Sequence, residues 1–208
     1  GLIFLAGFPV GRAQVTEPEF LLTWRAESYV PPYFTGKVLP AVSSPVTASF
    51  ELIENGQLVE LSQDAIYWYL NGKFLNGGPG RQTVTFQSAK VGGAVQNLRV
   101  QVNNYKDQAR TLIKTVEIPT AAAEAVIEAL FPNNKFSAAN IRIYGWPYFF
   151  NVKELAALNF SWEVNGQQPT NLDSPGVFDI NVTGAPIGAS QLNINLRIQN
   201  LNNRSEIA

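Results

Sequence analysis

The amino-acid sequence predicts an all-β protein of two tandem β-sandwich domains, and three observations carry that prediction. Charged residues make up only 15% of the 208 positions and aromatics 12%, with 16 Gly and 13 Pro. That balance suits a turn-rich chain with cores to fill rather than a disordered or coiled-coil one. Apolar positions alternate: in NLRVQV, Leu98, Val100 and Val102 interleave with Asn97, Arg99 and Gln101, and INLRIQ does the same with Ile194, Leu196 and Ile198. A period of two sends one set to a core and the other to water. Finally, the chain repeats itself: DAIYWYLNGKF (Asp64 to Phe74) matches LNFSWEVNGQQ (Leu158 to Gln168), with Trp68 falling on Trp162 and Asn71-Gly72 on Asn165-Gly166. Each unit, of about 95 residues, is long enough to bury its own core.

Residues 1–17 come first and stand apart. Leu2, Ile3, Phe4, Leu5, Phe8 and Val10 belong to an apolar run whose first charge is Arg12. As a helix, Leu2 to Val10 would span only about 14 Å, roughly half a bilayer core, and Gly7 and Pro9 weaken it further, so no membrane span is expected. Gly11 and Ala13 around Arg12 match the tail of an export signal cleaved after Ala13. If retained, the same nine residues extended reach about 30 Å and could fill a groove in a neighbour by strand addition. The segment therefore reads as an export-signal remnant or an assembly strand.

The first unit is expected to cover residues 18–118. It opens with the strand-like FLLTWRAES, continues through SPVTASFEL to the Trp68 strand, and turns back at once at Asn71-Gly72, since both residues tolerate positive φ. The strand-like Val84 to Phe86 follows, then QNLRVQVNN (Gln96 to Asn104). The Gly-rich stretches Asn76 to Gly80 and Val91 to Gly93 read as turns, neither having a phosphate-cradling form. Residues 119–124 are the expected linker, with Pro119 removing a backbone donor.

The second unit, residues 125–208, begins inside TAAAEAVIEALF (Thr120 to Phe131). Propensity alone favours a helix there, but its place opposite FLLTWRAES makes it the first strand of the second domain. Leu155 falls on Leu61, YGWPYFFNV precedes the Trp162 strand as SPVTASFEL precedes that of Trp68, and Phe178 to Ile180 matches Val84 to Phe86. INLRIQNLNN matches QNLRVQVNN with Asn195 on Asn97, an offset grown from 94 to 98.

Several short strands, frequent turns and one Trp in a middle strand form the pattern of an immunoglobulin-like sandwich, in which Trp68 and Trp162 would be the core tryptophans. The run W-x-x-N-G, a short strand and a final NLRVQVNN-type strand resembles bacterial immunoglobulin-like and polycystic-kidney-disease-type domains. The whole chain, over residues 18 to 205, resembles tandem immunoglobulin-like secreted proteins predicted in candidate-phylum bacteria. That resemblance implies a fold and a bacterial surface setting, and no particular ligand.

Chemistry is narrowly bounded. The chain has no His and no Cys, so Ser-His-Asp triads, Cys-His pairs, disulfides and ordinary zinc or copper sites are excluded. The carboxylate pairs Glu51 with Glu54, Glu60 with Asp64 and Glu124 with Glu128 lie in no acid/base or calcium motif and read as solvated charge. No catalytic residue, metal or cofactor is expected. Net charge is −1 with scattered basic residues, which leaves nucleic acid without an electrostatic footprint.

Two aromatic stretches remain, SYVPPYF (Ser28 to Phe34) and IYGWPYFF (Ile143 to Phe150). Core and junction packing, a surface for a protein partner, and sugar stacking are all open to them. Tyr29, Tyr33, Phe34, Trp146 and Tyr148 are the candidate acceptor or partner residues, Trp146 foremost because it lies outside the repeated Trp position. The leading expectation is a non-enzymatic structural subunit of an extracellular filament or cell-surface assembly, whose partners are copies of itself or other surface proteins. The alternative is a monomeric surface adhesion or carbohydrate-binding module with a cleavable signal and glycan partners.

Overall fold

A computed structural model describes residues 17–107, 109–129, 131, 140–169, 174–181 and 191–208. The expected assembly strand, Leu2 to Val10, lies outside the described residues. The chain is built from antiparallel strands forming two sandwiches, as the period-two patterns require.

In the first sandwich the strands are β1 (Glu19–Ala26), β2 (Pro45–Glu54), β3 (Gln57–Leu58), β4 (Ala65–Leu70), β5 (Lys73–Pro79), β6 (Thr83–Gln87), β7 (Val95–Asn103) and β8 (Leu112–Pro119). One sheet sets β2 between β1 and β6, with β3 hairpinned on the end of β2; the facing sheet runs β5-β4-β7-β8. Inward residues of both sheets, including Phe50, Leu52, Ile66, Trp68, Leu98 and Val100, are fully buried. Phe50 meets the Trp68 ring edge to face at 5.7 Å, the preferred arrangement for aromatic quadrupoles.

The second sandwich has β9 (Glu124–Ala129), β10 (Asn140–Tyr148), β11 (Leu158–Val164), β12 (Val177–Asn181) and β13 (Ile194–Asn200). Its sheets, among the described residues, are β12-β10-β9 and β11-β13. The Ala-rich segment thus forms strand β9, paired with β10 from Tyr148–Glu124 to Ile143–Ala129. Sheet pairing overrides its helix propensity.

Hydrogen bonds repeat between the sandwiches more closely than the sequence does. The Trp68 indole donates to the Arg81 carbonyl at 2.7 Å, and the Trp162 indole to the Pro175 carbonyl at 3.0 Å, each thirteen residues on. Asn71 and Asn165 have φ of 50° and 48°, followed by glycines at 78° and 80°. Each Asn also bridges to the last strand paired with its Trp strand, or to the residue just before it: Asn71 exchanges bonds with Asn97 of β7, and Asn165 with Asn193 beside β13. The partner of Asn97 is therefore Asn193, not Asn195, and the offset at the last strand is 96.

The register of the second strand also differs from the sequence match. Phe50 donates its N–H to Gln82, and Gly145 donates to Gly176; both acceptors lie fourteen residues after the respective Trp. Gly145 thus takes the place of Phe50, so β2 corresponds to a stretch of β10 that begins at Asn140, four residues before YGWPYFFNV. Leu61 is fully buried whereas Leu155, its match in sequence, is exposed in a one-turn helix. The Gly-rich stretch after Phe74 is not a turn but the end of β5, paired with β4 at Tyr67–Gly77 and Ile66–Gly78. A Cβ on Gly77 would stand 2.5 Å from the Tyr67 ring, which explains why a side chain is missing there.

The sandwiches are joined by more than their connecting chain. Tyr29 and the Phe149–Phe150 backbone exchange two 2.8 Å hydrogen bonds, and Ala121 donates to Pro40 at 2.8 Å. Asn151 reaches the Ser43 carbonyl at 3.1 Å. The segment between β1 and β2 is itself held by Ser28, whose buried hydroxyl accepts the Ala41 N–H at 2.6 Å.

Candidate functional site

The site is built around β9, the edge strand of its sheet among the described residues, whose two faces have different neighbours. On the outer face the aromatic stretches converge. β10 presents Tyr144, Trp146 and Tyr148 at alternate positions, as a pleated strand must, and Tyr33 arrives from the β1–β2 segment. Tyr144 stacks on Trp146 at 5.9 Å and 12°, and Tyr33 meets the Trp146 ring edge-on at 4.9 Å. The Trp146 indole donates to Glu128 on β9 at 2.7 Å. Tyr33 and Tyr148 bring their hydroxyls to 3.4 Å. Packing around its oxygen raises the Tyr33 phenol above the usual tyrosine range, helped by the Tyr148 hydrogen bond and the Glu128 charge, although the residue is 52% exposed overall.

Of the residues singled out in the sequence, Tyr33, Trp146 and Tyr148 line one cleft. Phe34 packs beside them, edge-on to Tyr148 and Phe149 at 5.9 Å each. Tyr29 is different: it packs against the buried cluster around Phe150 and Ile198, a junction role that also raises its phenol pKa through burial. Trp68 and Trp162 are fully buried core residues. Tyr144, two residues before Trp146 on the same strand, lies within the stretch the sequence singles out, whereas Glu128 as the partner of Trp146 escapes sequence reading because a cross-strand neighbour is not encoded by spacing.

On the inner face of β9, among the described residues, the side chains are smaller than on β1. In the first sandwich Phe20, Leu22 and Trp24 of β1 stand opposite Leu52, Phe50 and Ala48 and pack into the core. The corresponding positions of β9 and β10 are Ala125 opposite Pro147, Ile127 opposite Gly145 and Ala129 opposite Ile143. Two aromatic rings, Phe20 and Trp24, are thus replaced by Ala125 and Ala129, whereas at the place of Phe50 Gly145 is packed closely by Leu196 and Trp162. A cleft of about 650 Å³ opens around β9, lined on this side by Ile127, Ala129, Phe131, Ile141, Ile143, Leu192 and Ile194. Ile127, although turned inward, is 36% exposed.

The carboxylates sit in separate local contacts. Glu54 pairs with Lys106, Glu60 accepts the Ser62 N–H at 2.9 Å, and Glu128 holds Trp146. Asp179 is gripped by both arms of Arg142 at 2.7 and 2.6 Å, which lowers its pKa. Among the described residues, no group of three or more His, Cys, Asp or Glu side chains could hold a metal ion, and no helix is long and apolar enough to cross a membrane.

The architecture is that of tandem immunoglobulin-like β-sandwich modules, with the central Trp in the strand before the Asn-Gly turn. No protein-family model matches the chain, and no curated protein matches it in sequence. Among solved structures it is similar to the fibronectin(III)-like modules of Clostridium thermocellum CbhA, at 10% identity over 86% of each chain with a TM-score of 0.35. It is also similar to SGBP-B of the Bacteroides ovatus mixed-linkage glucan utilization locus, solved with a mixed-linkage heptasaccharide, at 14% identity and a TM-score of 0.28. That match covers 91% of this chain and 45% of the other.

Proposed function

We propose that this chain is a non-enzymatic structural subunit of an extracellular filament or cell-surface assembly, joined to its neighbours by β-strand addition through the apolar N-terminal segment. The working division is residues 18–118 and 125–208 as the two modules, with 119–124 between them. The single observation that supports the reading is a contrast among the described residues: the inner face of β9 presents Ala125 and Ala129 where β1 presents Phe20 and Trp24, beside a cleft of about 650 Å³. An exposed apolar groove at a strand edge is costly for a solitary protein, and an uncharged apolar segment elsewhere in the chain complements it. Negative-stain images of the full chain and of a chain lacking residues 1–13 provide the test. Fibres or open oligomers from the first and monomers from the second are expected; monodisperse monomers from both overturn the proposal.

A second reading, a surface adhesion or carbohydrate-binding module, rests on the cluster of Tyr33, Tyr144, Trp146 and Tyr148. Aromatic rings can stack on sugars, but Trp146 already meets Tyr144 face to face and Tyr33 edge to face, which leaves less of its ring free. Glycan-array binding that disappears in Trp146→Ala would favour this reading over assembly.

A further inference from the structure

The solvent-facing side of one sheet separates the two sandwiches as sharply as their cores do. In the sheet β5-β4-β7-β8 Trp68 points inward and is fully buried, so Tyr67 and Tyr69 point outward. Opposite them on β7 stand Gln101 and Arg99. The equivalent pairs of the second sandwich, on either side of Trp162 and Leu196, are Ser161 with Arg197 and Glu163 with Asn195. Short, charged and amide side chains suffice for a solvated sheet face, as the second sandwich demonstrates, so the fold does not require the two tyrosines of the first.

Those tyrosines belong to a cluster. Phe74 of β5 pairs with Tyr69, meets its ring at 5.9 Å and the Tyr67 ring at 6.4 Å, and is 62% exposed. The Arg99 guanidinium stacks over the Tyr69 ring at 4.3 Å, a cation–π contact. Its Nε is covered and has no hydrogen-bond partner, and among the described residues no carboxylate pairs with it. Glu117, the acidic residue of β8 on this face, stands opposite Asn97 instead. Next along β7, Gln101 donates to Asn103 Oδ1 at 2.7 Å, which leaves the Gln101 carbonyl and the Asn103 amino group to other partners.

We infer that this face is a binding site for an acidic glycan, one whose sugar units carry carboxylates as uronic acids do. Strands β4 and β7 are paired on both sides, so the centre of the face offers no edge for strand addition, and recognition rests on side chains. Tyr67, Tyr69 and Phe74 supply rings for the apolar C–H faces of pyranoses, and Gln101 and Asn103 supply amide groups for hydroxyls. A guanidinium already held by stacking offers its donor fork to a carboxylate with less ordering left to do. The unpaired cation is what makes the ligand acidic, because a neutral sugar leaves the Arg99 donors without a charged partner. The site is separate from both the Trp146 cluster and the groove beside β9, and it stands whether or not the chain assembles.

The experiment is calorimetric titration of the full chain with oligogalacturonate and oligoalginate, each beside its carboxyl-reduced neutral counterpart, and with a Glu-rich peptide. The variants are Arg99→Asn and the pair Tyr67→Ser with Tyr69→Glu, which place on this face what the second sandwich carries at the same positions, and Phe74→Ala at an exposed site; circular dichroism verifies the fold of each. The expected result is saturable binding of at least one uronate oligomer, weakened by added salt. The neutral counterpart and each folded variant are expected to bind about tenfold or more weakly. Binding of neither uronate oligomer overturns the inference, as does binding that every folded variant keeps. Equal affinity for the acidic and the neutral forms overturns the acidic assignment, and binding of the peptide without either saccharide overturns the ligand class.

Discussion

Single residues decide how the two copies of the fold diverge. The tryptophans are equivalent down to the carbonyl each indole reaches, so Trp68→Phe and Trp162→Phe are expected to cost similar amounts, about 2 kcal/mol each, from a lost hydrogen bond and a small void. Denaturant unfolding of the two variants checks this. Gly145 stands on the other side of the divergence. A Cβ there would lie 2.6 Å from Leu196 and 2.8 Å from the Trp162 ring, so those two side chains occupy the room a larger residue would need. Gly145→Val is expected to destabilise the second sandwich by about 1–3 kcal/mol through overpacking and to leave the first untouched, read as a shift in one of two unfolding transitions. The Trp and Asn-Gly matches were legible in the sequence because they depend on local turn geometry. The Phe50-to-Gly145 exchange was not, because Phe150 in the same stretch offers a like residue to set against Phe50 and so favours the wrong register.

Elements follow the same division between local and long-range information. Strand β9 could be placed by its position in the repeat even though its Ala-rich composition favours a helix. The end of β5 could not, because glycines that mark a turn by composition serve here to let the Tyr67 ring lie against the neighbouring strand. A further Asn-Gly pair, Asn55-Gly56, has φ of 51° and 76° and closes the β2–β3 hairpin; searching for repeats passes over it because only the first unit has it. The aromatic cluster was half legible: both stretches stand out as sequence, but their meeting depends on the β1–β2 segment being folded onto β10. Ser28 is central to that segment. Ser28→Ala leaves the Ala41 N–H without its buried acceptor and is expected to cost about 1–3 kcal/mol. Thermal unfolding measures the loss, and faster proteolysis between residues 27 and 44 locates it.

At the scale of the whole molecule, the absence of His removes the side chain that ordinarily titrates between pH 5 and 8. The melting temperature is expected to be nearly constant from pH 5.5 to 8. On the acid side, Glu54, Glu60 and Asp179 have pKa values lowered in the folded state, by the Lys106 hydrogen bond, the Ser62 hydrogen bonds and the Arg142 hydrogen bond respectively. Their stabilisation is present above the unfolded-state values, near 4, and is lost as pH falls through the lower folded values. On the alkaline side, burial raises Tyr29, Tyr33 and Tyr105. What they contribute is full below about pH 10 and is lost as pH rises through the folded values. Melting curves at stepped pH test both arms, and a midpoint moving by many degrees between pH 5.5 and 8 would contradict the scheme.

The junction has a mechanical consequence. A pull between the first strand of one module and the last of the other does not act on the short connecting peptide alone, because Tyr29 and Ser43 are tied to Phe149, Phe150 and Asn151, while Pro40 holds Ala121 of that peptide. Load is shared across several backbone bonds acting in parallel, and the two modules extend together as one stiff link. In single-molecule stretching the first length increment should correspond to rupture within a sandwich, with no earlier slack from the modules swinging apart.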